Sequence, residues 1–387
     1  MVAKKVGILT GGGDVPGLNV AIRTLVHCMQ DAGWSALGLK RGWASLLEIL
    51  PDGSNREQWT VPLDKANARK IDRTGGTVLH TSRTNPMAVA PDAVPAHLID
   101  RVGPLPESGT YDLTGVAVAT IEALELDALV AIGGDDTLSF AARLDQEGVS
   151  VVGLPKTMDN DVFGTDYCIG FSTAISRSVN MITDLRSAAG SHERHLVVEL
   201  FGRNSGETSL MIALLAMVDR ALISEVPFDP ERLVTLLVAD REANPSRYSV
   251  LTVSEGAYPA GGAPLESGEA DAFGHRKLGG IGARVGEYIK RISGHGLLYQ
   301  NLAYLMRSGP PDSLDRLVAI NFARSAAELI LKGRTGQMLA VEDGKYRTQP
   351  MRVVSEGVRR VNVDRYYDIE QYRPKLDDVL GKPMFLE

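Results

Sequence analysis

From Asp127 to Asp161 the chain reads DALVAIGGDDTLSFAARLDQEGVSVVGLPKTMDND. Two β-branched runs, Ala128 to Ile132 and Ser150 to Leu154, flank a segment with helical spacing from Thr137 to Gln146. That order predicts a strand, a helix and a second strand. Ligands of such a unit sit beyond the carboxyl ends of the strands, where helix amino termini and free backbone NH groups converge. A chain built on this stretch is therefore expected to be α/β, with its chemistry in the two loops that follow the strands.

Both loops are charged. The first, Gly133-Gly134-Asp135-Asp136-Thr137, sets two residues small enough for close backbone approach beside two carboxylates. The second, Pro155-Lys156-Thr157-Met158-Asp159-Asn160-Asp161, sets an ammonium beside two more. Carboxylates with a lysine at a glycine-lined helix start suit a polyphosphate held with magnesium, because the metal takes oxygen ligands and the anion takes NH groups and cations. Gly, Asp, Asn and Thr are also ordinary turn and cap residues, and Asp136 is placed to cap the helix that follows. What sets this stretch apart is that two such loops stand at matching ends of neighbouring strands.

The chain has 387 residues and a formal charge of -7. That length accommodates two domains at roughly 150 residues each. The negative balance leaves no overall basic surface for nucleic acid. No apolar run is long enough to span a bilayer, and the amino terminus enters a strand without a signal-peptide core, so a cytoplasmic protein with no membrane partner is expected. Cys28 and Cys168 lack the spacing of a zinc or redox motif and read as two buried thiols.

Along the chain, Lys5 to Thr10 reads as a strand that turns through Gly11-Gly12-Gly13-Asp14-Val15-Pro16-Gly17 into a helix with apolar positions at Val20, Ile22, Leu25 and Val26. The loop lacks both GxGxxG spacing and the Lys-Ser/Thr of a P-loop. Trp34 to Leu39 is the next strand, and Arg83, after a Gly75-Gly76 turn, is a candidate phosphate clamp or else a solvated surface arginine. Helices are expected over residues 116–126, 172–188 with Gly190 as its C-cap, 207–217, 230–239, 281–292 and 313–331. Strands are expected at 196–200, 222–223 and 249–254, and a strand-like stretch carries Tyr304 and Arg307. Residues 256–280 have no period of either kind and read as a mobile insertion or lid. The last residues, with Tyr366, Tyr367 and Tyr372, read as a tail packed on the surface. Alternating strands and helices imply largely parallel sheets covered on both faces.

The segments LTGGGDVPGLN, GGTVLHTSR, IGGDDT, LPKTMDND, GTDYCIGF, SHER, FGRNSG and SEVPF stand in the order and spacing of the 6-phosphofructokinase family, which the chain resembles to about Arg316. The resemblance implies two doubly wound domains interleaved in sequence, a donor unit of residues 1–169 with 308–360 and a sugar-phosphate unit of residues 170–307 with 361–387. It implies donor-phosphate contacts at Gly12, Gly13, Arg83 and Gly134, and a magnesium ligand at Asp135. It further implies acceptor contacts at Thr157, Met158, Arg194, Phe201, Gly202, Arg203, Glu225, Tyr304 and Arg307, with Asp159 as catalytic base and Arg203 among the catalytic cations. A homodimer or homotetramer is implied as well.

Asp136 and Lys156 bear on the donor. ATP-using bacterial members of the family usually carry glycine at both positions, and the pyrophosphate-using branch carries this Asp and this Lys. A carboxylate where an ATP α-phosphate would lie sets like charges a few ångströms apart, at a cost of about 4 kcal/mol for an effective dielectric near 20. Pyrophosphate is shorter and avoids it, and Lys156 can neutralise charge on the transferring group. The resemblance thus implies magnesium-dependent phosphoryl transfer from pyrophosphate to the C1 hydroxyl of fructose 6-phosphate.

Several positions depart from the pattern. His27 stands where regulated bacterial members carry a basic residue. Phe201 replaces a methionine, Ser224 a proline, Tyr304-Leu305-Met306 a His-Ile-Gln, and Leu298 lies where many members carry an arginine that crosses a subunit contact. Another ketose phosphate such as sedoheptulose 7-phosphate, ATP as donor, and a catalytically silent phosphate sensor stay open as alternatives.

Overall fold

A computed structural model of the chain describes residues 3–270, 272–274 and 276–375. Residues 376–387, which end the expected sugar-phosphate unit, and Asp271 and His275 in the expected lid lie outside the described residues. The strands are β1 Lys5–Thr10, β2 Ser35–Leu39, β3 Thr60–Leu63, β4 Ala128–Gly133, β5 Val151–Pro155, β6 His195–Leu200, β7 Arg220–Leu222, β8 Ser249–Ser254, β9 Glu266–Ser267, β10 Lys277–Leu278, β11 Leu297–Asn301, β12 Gln337–Glu342 and β13 Lys345–Pro350, followed by the two-residue pair Tyr367–Asp368 and Arg373–Pro374. Strands β4, β5, β6 and β8 are buried along their whole length, as strands covered on both faces must be.

Two main sheets result. The larger has the order β13-β12-β5-β4-β1-β2-β3 and is parallel except at its outer strands, β3 and β13. The smaller has the order β11-β6-β8-β7 and is parallel throughout. The larger sheet uses residues 5–155 and then 337–350, and the smaller takes residues 195–301 from between them, so the two α/β units are interleaved in sequence. One apolar core runs from Ile8 and Val130 through Ile175 and Ile182 of the helix Phe171–Ser191 to Leu196 and Val198. Register does the rest. Gly133 pairs with Pro155 in the larger sheet and Leu200 with Ser254 in the smaller, so the loops that follow these strands emerge side by side.

Local readings change in several places. The helix after β4 spans Asp135–Gln146, two residues longer than its periodicity suggested, and Gly134 rather than Asp136 holds the N-cap position. Asp135 and Asp136 lie in the first turn, where a carboxylate meets the positive end of the helix dipole. The helix Phe171–Ser191 runs through Gly190, and His192 takes the cap. The stretch with Tyr304 and Arg307 is a 3-10 turn, Ala303–Arg307, beyond the end of β11. Tyr366, Tyr367 and Tyr372 are buried against Leu222, Leu233 and Val253 in the core of the smaller unit, not on the surface. Cys168 is buried, but Cys28 is only half-buried. Residues 256–280 contain a short antiparallel pairing of Leu278 with Glu266 and of Lys277 with Ser267. Among the described residues, no helix is long and apolar enough to cross a membrane.

A buried carboxylate ties the site-bearing loops to the long helix Ser313–Leu331. Asp315 is fully buried, and it accepts hydrogen bonds from Tyr167 Oη and Gly170 N on Oδ1 and from Thr173 N and Oγ1 on Oδ2. Removing it strands four donors, each costing about 1–3 kcal/mol when left unmade. Asp315→Ala is therefore expected to lower unfolding stability by about 3 kcal/mol or more, and Asp315→Asn by less, since one oxygen remains as acceptor. Chemical denaturation of the three proteins checks this, and an alanine variant with an unchanged midpoint would refute the role given to Asp315.

Candidate active site

The carboxyl ends of β1, β4 and β5 face those of β6, β8 and β11 across a cleft of about 750 Å³. Gly12, Gly13, Arg83, Gly134, Asp135, Asp136, Lys156, Thr157, Met158 and Asp159 line it from the larger unit, and Phe201, Arg203, Tyr304 and Arg307 from the smaller. The glycine loop after β1 is pinned to the Thr81–Arg83 stretch, because Gly12 N donates to Ser82 O at 3.0 Å and Thr81 Oγ1 donates to Gly12 O at 2.6 Å. This places Arg83 on the rim, exposed.

Lys156 is the innermost cation. It is 3 % exposed, and its Nζ donates to Gly13 O at 2.7 Å. Burial lowers its pKa to about 8, and Arg307 pushes the same way, while Asp135, Asp14 and Asp161 oppose the shift. Backbone conformation calls for glycine at 12, where φ is 74°, while at 13 a side chain would crowd the movable end of Arg307. A Cβ on Gly13 would stand 2.9 Å from Arg307 Nη1, and one on Gly12 would stand 3.4 Å from Lys156 Nζ.

The carboxylates behave differently from one another. Asp159 is half-buried as a residue, but among the described residues its Oδ1, sealed from solvent, has no hydrogen-bond partner, and its Oδ2 has only Arg203 N at 3.5 Å. Burial, with the charges of Asp161 and Glu255 added, raises its pKa well above the ordinary carboxylate value, against the pull of Arg203. Asp161 is raised to about 6 by burial and by Asp135, and Glu255, on the opposite wall, to about 7 by burial. Asp135 is exposed at the start of its helix. A carboxylate left without donors in a cleft is a poor structural element and a good proton acceptor.

The far wall carries Arg307 on aromatic supports, and Arg203. The Arg307 guanidinium carbon lies 4.5 Å from the Tyr304 ring centroid and 5.5 Å from that of Phe201, and the two rings meet edge to face at 5.8 Å. Arg307 Nε faces Asp14 at 3.4 Å as an ion pair. Arg203 Nη1 donates to Arg276 O at 2.7 Å, and Glu269, Phe273, Lys277 and Leu278 of the same segment line the cleft. A forked donor held over rings, as Arg307 is, suits the oxygens of a phosphate ester.

Over residues 5–330 the sequence matches the family described as Phosphofructokinase. The chain belongs to the phosphofructokinase family. It is 36% identical over 370 residues, 95% of this chain and 99% of the relative, to the pyrophosphate--fructose 6-phosphate 1-phosphotransferase of Amycolatopsis mediterranei (strain S699). It is 35% identical over 353 residues, 91% of each chain, to the ATP-dependent 6-phosphofructokinase of Chloroflexus aggregans (strain MD-66 / DSM 9485). In fold it is similar to the pyrophosphate-dependent phosphofructokinase of Marinobacter aquaeolei, with a TM-score of 0.74 at 16% identity over 97% of this chain and 90% of that one.

Three residues suggested by the phosphofructokinase resemblance do not reach the cleft within one chain. Arg194 is exposed and precedes β6, at the end of the strand opposite the cleft. Glu225 accepts from Gly206 N at 3.0 Å and Val361 N at 3.0 Å, which spends its carboxylate on the backbone. Gly202 is buried behind the wall, its carbonyl accepting from Ser224 Oγ and Ser254 Oγ. Sequence reasoning missed Asp14, Asp161, Glu199, Glu255 and Lys277 as cleft residues. Asp14 and Asp161 sit inside the quoted motifs and were open to notice. Glu199, Glu255 and Lys277 carry no local signal and are brought in by the parallel pairing of the smaller sheet and the return of the insertion.

Because its folded pKa is raised, ionised Asp159 costs stability once pH exceeds the unfolded carboxylate value of 3.8, and the cost grows until pH passes the folded value. In chelator-treated protein, Asp159→Asn is therefore expected to raise the thermal midpoint by about 2 °C or more at pH 7–8 and by little at pH 4. A difference that does not change with pH would contradict the burial of this charge.

Proposed function

We propose that this chain is a magnesium-dependent phosphofructokinase that transfers phosphoryl from pyrophosphate to the C1 hydroxyl of fructose 6-phosphate, reversibly, in the cytoplasm and within glycolysis or gluconeogenesis. The single observation that carries the reading is the Lys156 ammonium buried against Gly13 O, in the same cleft as Asp136 and the unpartnered Oδ1 of Asp159. The donor is held by residues 1–169 with 308–360 and the sugar phosphate by residues 170–307 with 361–387, and the 256–280 segment covers the acceptor. The working enzyme is a homodimer or homotetramer, which gives exposed Arg194 a role toward a neighbouring copy.

The donor set fits magnesium. Asp135 and Asp161 offer only oxygens, and among the described residues no group of three His, Cys, Asp or Glu side chains would cage an ion by itself. That suits an ion that completes its shell with pyrophosphate oxygens and water. Bound there, magnesium would supply charge neutralisation at the phosphates.

Each residue has a task in the transfer. Pyrophosphate lies along the glycine loop at Gly12 and Gly13 and against Gly134, with the NH groups of Gly13 and Gly134 as donors, since that of Gly12 is held by Ser82 O, and with Arg83 at its outer end. The Asp159 carboxylate accepts the proton of the C1 hydroxyl as that oxygen attacks the terminal phosphorus. The bridging P–O bond breaks, and its electron pair leaves with phosphate, whose charge Lys156 neutralises. Arg203 and Arg307, with Thr157 and Met158, orient the acceptor, and Phe201 and Tyr304 shape its pocket. Asp136 keeps out a donor that extends past two phosphates. Relatives named for ATP and for pyrophosphate both match at about one third identity, so the donor rests on these two side chains.

Assays of the purified protein with magnesium, each donor, and fructose 6-phosphate or sedoheptulose 7-phosphate test the reading directly. Pyrophosphate with fructose 6-phosphate is expected to give the highest turnover, and ATP outperforming pyrophosphate would overturn the donor assignment. Asp136→Gly is expected to lower pyrophosphate turnover by about tenfold or more and to raise that with ATP.

The pH profile supplies an independent check. Activity needs Asp159 ionised and Lys156 protonated, so kcat/KM should fall at low pH as the raised carboxylates take up protons and fall again through about pH 8 as Lys156 loses its proton. Lys156→Arg keeps its charge and should shift the alkaline limb upward, at a lower maximal rate. An alkaline limb left in place would remove Lys156 from this role.

A further inference from the structure

The loop that carries Asp159 has a second set of ties, on the side away from the cleft. Asn160 stands between Asp159 and Asp161, is fully buried, and holds a φ of 54°. Asparagine visits that region more readily than other side-chain-bearing residues, and its amide then bonds locally. Here its Nδ2 donates to Asp166 O at 2.9 Å and to Glu207 Oε1 at 2.9 Å, and its Oδ1 accepts from Cys168 N at 2.8 Å.

Glu207 is held in turn. It lies in the first turn of the helix Glu207–Leu215, and Arg359 grips it as a fork, with Nε 3.2 Å from Oε2 and Nη2 3.2 Å from Oε1. The third guanidinium nitrogen, Nη1, donates to Thr165 O and faces Asp166 Oδ1 at 3.7 Å. Arg359 therefore touches both residues that hold the Asn160 amide. It belongs to the carboxyl-terminal segment, past residue 330 where the family match ends.

We infer that Arg359 is a positioning residue for the reaction, which through Glu207 and Asn160 fixes the backbone of the Thr157–Asp161 loop so that Asp159 and Asp161 stay aimed into the cleft. The inference rests on the reading of that loop as the seat of the base. Without the guanidinium, Glu207 would be a mostly buried carboxylate with no cation beside it, and it would turn outward or take up a proton. Either change weakens the charged acceptor of the Asn160 amide and frees the loop backbone to shift. A shift of about 1 Å in Asp159 is enough to cost up to 10²-fold in rate while leaving substrate contacts in place.

The test is a double-mutant cycle on turnover with pyrophosphate, magnesium and fructose 6-phosphate, with folding of each variant checked by thermal denaturation. Arg359→Met is expected to lower kcat by about tenfold or more while KM for both substrates stays within about threefold. Arg359→Lys should restore part of the loss, since it keeps the charge and loses the fork. Asn160→Ala should also lower kcat, and in its background Arg359→Met should cost less than about twofold more, because the relay is already cut. A folded Arg359→Met with wild-type kcat, or losses that multiply in the double variant, would overturn the inference. If Arg359→Met does not fold, the cycle is run with Arg359→Lys and judged by the same non-additivity. The wild-type protein separates the two levels. Its failure to turn over refutes the proposed function, whereas an active wild type with multiplicative losses refutes only the relay.

Discussion

Lys156 places an ammonium in a nearly closed space, 2.7 Å from a backbone carbonyl and within the fields of Asp14, Asp135, Asp161 and Arg307. A buried lysine keeps its charge only where its neighbours offset lost hydration. The glycines at 12 and 13 let the backbone come close enough to supply that carbonyl, and β5 delivers the lysine beside β4 through the hydrogen bond from Lys156 N to Gly133 O at 2.9 Å. The larger sheet is thus organised to hold one cation whose charge is near its threshold.

The cleft around it is richer in acid than in base. Asp14, Asp135, Asp136, Asp159, Asp161, Glu199, Glu255 and Glu269 line it against Arg83, Lys156, Arg203, Lys277 and Arg307. Such a surface repels a bare polyanion, and the proposed function resolves the conflict by bringing pyrophosphate in with magnesium. Glu199 shows how the carboxylates divide their work. It is fully buried and accepts from Gly280 N, Gly282 N and Tyr299 Oη, so it anchors the return of the 256–280 segment. Asp159 has no such donors on Oδ1, and the proposed function takes that difference as the one between a structural carboxylate and a reactive one.

Much of this was legible in the residues, for identifiable reasons. The strands β4 and β5 are continuous apolar runs because both faces are covered, and the charged loops between fixed strand ends could be placed without coordinates. Boundary readings suffered where local pattern and tertiary packing disagree. The tyrosines at 366, 367 and 372 look like a polar-aromatic tail, but their rings fill the core of the smaller unit while Tyr367 Oη reaches Ala221 O. Ala303–Arg307 looks extended, yet Leu305 N bonds back to Leu302 O at 2.8 Å and the chain turns, which brings Tyr304 and Arg307 round to the cleft.

By itself the sequence determined the fold class, the interleaved plan through its resemblance, and the chemistry of the two loops around Gly134 and Lys156, because these depend on contiguous patterns of burial, backbone freedom and charge. Only the tertiary structure decided which carboxylates lose their hydrogen-bond partners, that Arg194 and Glu225 stand apart from the cleft of their own chain, and that Arg359 reaches Asn160 from nearly two hundred residues away in sequence. Those outcomes turn on desolvation and hydrogen bonding between segments far apart in the chain, and no local pattern encodes them.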